Sequence, residues 1–137
     1  MRIQPYLNFN GRAEEAMTFY KQAVNAQGTF LMRCKEAPEG PPVRPGLEDK
    51  IMHAEFTIGE STVMCSDGYC TGEAPAFQGV TLTIVADSDA QARERFDALA
   101  DGGSVQMPLG KTFFASSFGM LTDRFGVSWM VIAGQQP

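Results

Sequence analysis

The chain has 137 residues, a hydrophobic fraction of 44% and a formal net charge of −5. That length suits one domain, or two half-size modules sharing a core. There is no apolar run near the roughly 20 residues a membrane helix needs and no basic cluster, so neither membrane nor nucleic-acid binding is expected.

In chain order, Ile3–Phe9 alternates as a strand does. Ile3, Leu7 and Phe9 point one way, and Gln4, Tyr6 and Asn8 the other. Asn10 is a good N-cap, and Ala13, Ala16, Met17, Tyr20 and Val24 then follow helical spacing. Gly28 is the expected stop of that helix, with a short strand over Thr29–Arg33. Residues 35–49 contain four prolines and two glycines, which excludes a regular element and marks a flap or functional loop.

Lys50–Asp67 reads as a β-hairpin. Gly59-Glu60 separates two alternating runs, and Gly at the first central position favours a two-residue type II′ turn. That register pairs Ile58 with Ser61, Thr57 with Thr62, Glu55 with Met64 and His53 with Ser66. One face carries His53, Glu55, Thr57, Thr62, Met64 and Ser66, and the other Ala54, Phe56, Ile58, Val63 and Cys65. A second loop runs through Gly68–Gly79.

The order then repeats. Val80–Val85 is a strand, and Ser88 with Gln91 forms a capping-box signature. Ala92, Phe96 and Leu99 give the second helix its apolar stripe, and Gly102-Gly103 ends it. Strands follow around Val105–Met107, Lys111–Ser117 and Met120–Thr122, turning at Asp123-Arg124-Phe125-Gly126 into Val127–Ala133. Both halves therefore run strand, helix, three strands. The expected architecture is α+β: a single domain of paired βαβββ modules, roughly 1–67 and 79–137, forming a curved mixed sheet around a cavity with the helices outside. The polar faces (Gln4, Tyr6, Asn8, His53, Glu55 and Ser66) look inward.

Met1-Arg2 leads into Ile3-Gln4-Pro5-Tyr6 without a signal-peptide pattern. Cys34, Cys65 and Cys70 include no C-x-x-C pair, so reduced thiols in a cytoplasmic protein are expected rather than a disulfide framework or zinc ribbon. Cys70, in a loop with Gly and Tyr, is the most exposed candidate. His53 with Glu55 is the candidate acid–base pair, with a half-buried structural histidine as the competing reading. Asp67 and Asp123 read as turn braces. Gln4, Tyr6, Ser66, Phe114 and Trp129 are the candidate pocket residues. Lys111 reads as a solvated loop lysine, and the eight methionines read as packing material.

The segments PYLNFNGRAEEAMTFY (Pro5–Tyr20), KIMHAEFTIGESTVMCSD (Lys50–Asp67), LADGGSVQMPLGKTFFASSFGMLTD (Leu99–Asp123) and RFGVSWMV (Arg124–Val131) carry a resemblance spanning nearly the whole chain. They resemble the PhnB-like branch, often labelled demethylubiquinone methyltransferase-like, of the glyoxalase/bleomycin-resistance/dioxygenase (vicinal-oxygen-chelate) superfamily. The resemblance implies a small-molecule ligand and a homodimer. In metal-binding members it also implies four inward ligands, which fall here on Gln4, on Met64 or Ser66, on Val80 and on Met130. Only the first is an acceptable donor, so no cofactor and no standard metal are expected. The alternative is a lyase, isomerase or dioxygenase with a divalent metal rearranged onto Gln4, His53 and Glu55. The methyltransferase label lacks sequence support: the turn Phe9-Asn10-Gly11-Arg12 has one glycine and no G-x-G spacing, and a parallel sheet is not indicated.

Overall fold

The computed structural model describes residues 1–37, 45–68 and 77–135. Strand β1 (Tyr6–Asn8) leads into helix α1 (Ala13–Val24), followed by β2 (Gln27–Arg33), β3 (Ile51–Ile58) and β4 (Ser61–Ser66). The same order returns as β5 (Leu82–Val85), α2 (Asp89–Ala100), β6 (Ser104–Gly110), β7 (Ala115–Thr122) and β8 (Ser128–Gln135). These elements form two compact units, Met1–Pro75 and Ala76–Pro137. Each unit contains one four-stranded mixed sheet, ordered β1-β4-β3-β2 in the first and β5-β8-β7-β6 in the second. The α+β arrangement of βαβββ repeats is therefore the observed one. In each sheet the first strand pairs in parallel with the last strand of its unit, and the remaining pairs are antiparallel.

The hairpin keeps its expected register, with Ile58 opposite Ser61 and Glu55 opposite Met64. Gly59 has φ +58 while Glu60 does not enter the left-handed region, as a type II′ turn requires. The face bearing Ala54, Phe56, Val63 and Cys65 is buried, and Tyr20 of α1 stacks on Phe56 at 5.8 Å between ring centroids. Two one-residue register shifts make the strand pattern depart from simple alternation. Gly28 pairs with Phe56 but Phe30 with Glu55, and Met32 pairs with His53 but Arg33 with Ile51. The second shift takes up Met52, so Ile51 is buried with Ala54 instead of facing the way of His53.

The helix start differs from the expected N-cap. Asn10 is left-handed (φ 48), and α1 begins three residues later with Arg12 as a cap that offers no side-chain hydrogen bond. The free backbone donors are taken instead by Asp67, from the far end of β4. Its Oδ1 accepts from Gly11 N at 3.0 Å and Ala13 N at 2.8 Å, and its Oδ2 accepts from Ile51 N at 2.7 Å. One buried carboxylate thereby ties the starts of α1 and β3 to the end of β4. The C-terminus differs as well: Asn25, left-handed at φ 57, ends α1, and Gly28 lies inside β2.

In the second unit, Ser88 Oγ accepts from Gln91 N at 3.1 Å, and Gln91 reaches back to Asp87 N at 2.8 Å, a capping arrangement displaced by one residue. Ala92, Phe96 and Leu99 are buried as their spacing predicts. The expected strands Lys111–Ser117 and Met120–Thr122 are corrected to one strand, β7. Thr112 N donates to Ala115 O at 3.0 Å, so residues 111–114 form the turn after β6. Phe113 lies in that turn and is 94% exposed. Gly119 lets β7 approach α2, since a Cβ there would sit 2.6 Å from a ring carbon of Phe96. Asp123 braces the β7–β8 turn: Oδ1 accepts from Phe125 N at 2.8 Å and Val127 N at 3.1 Å, and Oδ2 accepts from the Trp129 indole at 2.8 Å.

Replacing Asp67 by Ala leaves three backbone donors without their anionic partner and should cost about 3 kcal/mol in urea unfolding, with Asp67→Asn intermediate. The Ser116 and Ser117 hydroxyls each donate to Asp89 at 2.6 Å and hold its carboxyl below the ordinary aspartate value, Ser116 first. A depressed folded value means that this stabilisation is present above the unfolded carboxyl range and is lost as pH falls through the folded one. Stability measured against pH should therefore fall less steeply on acidification in Asp89→Asn than in the parent chain.

Candidate functional site

The face of the first sheet opposite α1 gathers the chemistry. Alternation along β3 and β4 places His53, Glu55, Thr57, Thr62 and Met64 there. Tyr6 joins them because it pairs with Met64 across the parallel β1–β4 ladder. Phe30 joins them through the register shift at Thr29: unshifted pairing would put Thr29 opposite Glu55, whereas the extra residue brings Phe30 into that place. Sequence reading missed Phe30 for this reason, since Gln27–Arg33 shows no alternation that would mark the bulge.

His53 sits between two aromatic rings, with centroids 5.5 Å from Tyr6 and 5.9 Å from Phe30. Its Nδ1 is 3.1 Å from the Tyr6 hydroxyl, and its Nε2 is 3.5 Å from Glu55 Oε1. The Tyr6 hydroxyl can donate to Nδ1 or accept from it, according to the ring tautomer, whereas the Glu55 carboxylate only accepts, so a proton on Nε2 would face it. The side chains of His53 and Glu55 retain 31% and 36% exposure, so the pair is reachable by solute and not sealed in the core.

The remaining sequence candidates divide. Gln4 is half-buried just ahead of β1, and Ser66, opposite Asn8 at the end of β4, is buried and accepts from Gly68 N at 3.2 Å. Phe114 lies in the second unit, edge-on to Phe118 at 5.0 Å. Trp129 is corrected as a lining residue. It shares the face of Leu121, Val131 and Gly119 that α2 covers, and its indole N–H is consumed by Asp123. A tryptophan at 3% exposure on that face is core packing. Lys111 is exposed, as read. Cys70 lies outside the described residues.

Apart from Gln4, the positions to which the resemblance assigns metal ligands do not offer the donors a hard divalent cation takes. Met64 and Met130 present thioethers, Val80 presents an alkyl group, and the Ser66 hydroxyl is committed to the strand end. Among the described residues no three His, Cys, Asp or Glu side chains are grouped as metal ligands. Nor does the first strand-to-helix turn offer a free anion cradle at Gly11 and Ala13, whose amides point at Asp67. Among the described residues no helix is long and apolar enough to cross a membrane.

Three solved structures place this arrangement. At 14% identity, covering 98% of each chain with a TM-score of 0.65, a glyoxylase/bleomycin resistance protein/dioxygenase domain from Frankia sp. shares its fold. Protein PA1353 from Pseudomonas aeruginosa is 43% identical over 99% of each chain with a TM-score of 0.86. A Bacillus cereus PhnB protein, described as a putative 3-demethylubiquinone-9 3-methyltransferase, is 31% identical over 98% of this chain and all of that one, with a TM-score of 0.80. The fold is thus of the glyoxalase/bleomycin-resistance type. More narrowly, the family model described as 3-demethylubiquinone-9 3-methyltransferase matches residues 1–132, and the chain belongs to that PhnB-like family.

Burial, then the neighbouring Asp67 charge, pushes the Cys65 thiol up to about 12. A thiol so protected stays protonated at neutral pH and is a poor nucleophile. In a Cys70→Ser background, a thiol reagent should label the half-exposed Cys34 in the native protein and reach Cys65 only on unfolding, as read by intact mass.

Proposed function

We propose that the protein binds a small organic molecule on the open face of its first sheet, without the four-ligand metal centre of its metalloenzyme relatives. The observation that carries this reading is the row Tyr6–His53–Phe30 with Glu55 beside it, on a face that α1 leaves uncovered. Stacked rings offer a flat apolar surface, and Glu55 adds an acceptor that orients a hydrogen-bond donor or a cation. The ligand class this selects is a flat, partly apolar molecule carrying an N–H, O–H or cationic group. The protein works as a cytoplasmic homodimer in this reading. Methyl transfer finds no support in the site's geometry, because the strand-to-helix turn that would hold a donor cofactor is occupied by Asp67.

A second reading draws on the 3.5 Å approach of His53 to Glu55. With Gln4 they would form a rearranged divalent-metal site for a lyase, isomerase or dioxygenase. Against it, no third His, Cys, Asp or Glu joins the pair among the described residues, and Gln4 is a single neutral donor.

One experiment separates the two. A library of flat amines, phenols and heterocycles is screened by thermal shift on untagged protein, with metal content measured on the same preparation. The binding reading predicts hits that raise Tm in the parent by RT ln(1 + [L]/Kd) and lose affinity by about tenfold or more in Glu55→Gln, the loss of one charge-assisted hydrogen bond. Stoichiometric metal that disappears in a His53→Ala/Glu55→Ala double variant would instead establish the metal centre.

A further inference from the structure

The second sheet holds a constellation that the binding reading does not use. Met107 pairs with Met120 across β6 and β7, and Met120 pairs with Met130 across β7 and β8. Three thioethers therefore stand abreast on three adjacent strands. Their face follows from the register. Gly119 and Leu121 point to α2, where Phe96 lies against Gly119, so Met120 and its partner Met130 point away from the helix. Met107 belongs to the same side through the register shift at Gln106, whose amide oxygen accepts from Thr122, two residues along β7 from Met120.

These methionines are not spent on the core. Met107 is 43% exposed, and Met120 and Met130 are half-buried, whereas Met17, against α1's sheet, is buried. Directly opposed side chains on neighbouring strands have Cβ atoms about 5 Å apart, so the outer pair is separated by about 10 Å. The methionine side chain is long, unbranched and freely rotating. Two outer sulfurs can lean inward over a central one without moving the backbone. Phe118, one residue pair along the same face and edge-on to Phe114, closes one side of the row with aromatic surface.

We propose that Met107, Met120 and Met130 form a binding site for a soft monovalent cation of the Cu(I) class. Neutral thioethers are weak donors for hard divalent ions but suit Cu(I), which accepts three-coordinate sulfur ligation. A sheet fixes the spacing of its ligands, so binding demands rotamer choice rather than folding. The site lies wholly within the second unit and uses neither His53 nor Glu55. It stands or falls separately from the ligand-binding reading. The sequence spacing of 13 and 10 residues shows nothing of it, because the row exists only through strand register.

Ag(I), a redox-inert ion of the same softness, is the probe. Protein labelled with ¹³C at the methionine ε-methyls, in a Cys34→Ser/Cys70→Ser background, is titrated with silver under chloride-free conditions. The proposal predicts that three ε-methyl resonances, identified by single Met→Leu variants, shift together and saturate at one equivalent, while that of Met17 stays in place. A Met107→Leu/Met120→Leu/Met130→Leu variant should weaken binding by about tenfold or more, and each single variant should weaken it in part, with circular dichroism reporting that the sheet is intact. Cu(I) supplied anaerobically should then compete for the same three methyls. Methyl shifts that spread over exposed methionines without a one-equivalent endpoint, or a triple variant that binds as tightly as the parent, would overturn the site.

Discussion

A single buried carboxylate sets the geometry on which the first unit depends. Asp67 lies at the end of β4, yet its two oxygens accept the amides of Gly11, Ala13 and Ile51. Helix starts carry unpaired amides that must find acceptors, and α1 finds its acceptor 54 residues away rather than in a local cap. The same carboxylate holds Ile51, the first residue of β3, against the residue that follows β4, and so contributes to the register that lines His53 and Glu55 against their neighbours. Lys50 adds to the junction by donating its ammonium to the Gly11 carbonyl at 3.0 Å. The cost of burying the charge is offset by three amide donors.

Each unit uses its helix to cover one face of one sheet, and the two faces diverge in composition for that reason. Under α1, against its Tyr20, lie Phe56, Cys65 and Ala54, all nearly inaccessible. On the face that α2 covers with Phe96 lie Leu121, Val131 and Trp129. The faces that the helices leave uncovered carry different groups: a histidine–carboxylate pair among rings in the first unit, a thioether row beside a phenylalanine in the second. A sheet with one packed face frees the other for recognition, because strand register alone positions its side chains. The covered face supplies the rigidity.

Much of this was legible in the residues. The turn at Gly59-Glu60 and the alternation on either side of it fix the hairpin register almost pair for pair, and Ala92, Phe96 and Leu99 mark the buried stripe of α2. What could not be read depends on long-range geometry. Asn10 has the chemistry of an N-cap, but Asp67 supplies a stronger acceptor and the helix starts at Ala13. Trp129 has the chemistry of a pocket wall, but parity along β8 turns it under α2, where Asp123 accepts its N–H. Phe30 reaches the candidate site only because Thr29 is an extra residue in its ladder, and no local pattern announces a bulge. Parity survives in strands of regular pairing and fails by one face wherever a residue is inserted.

His53 is the chain's one histidine, so its ring Cε1–H signal in a proton–carbon spectrum identifies itself. Following that signal while adding any compound that raises the melting temperature tests the central claim directly. Stacking against the Tyr6–His53–Phe30 rings predicts a saturable upfield shift that tracks the thermal stabilisation and disappears when Tyr6 and Phe30 are both replaced by leucine. A stabilising compound that saturates the protein while leaving the His53 signal unmoved would place recognition elsewhere and contradict the account.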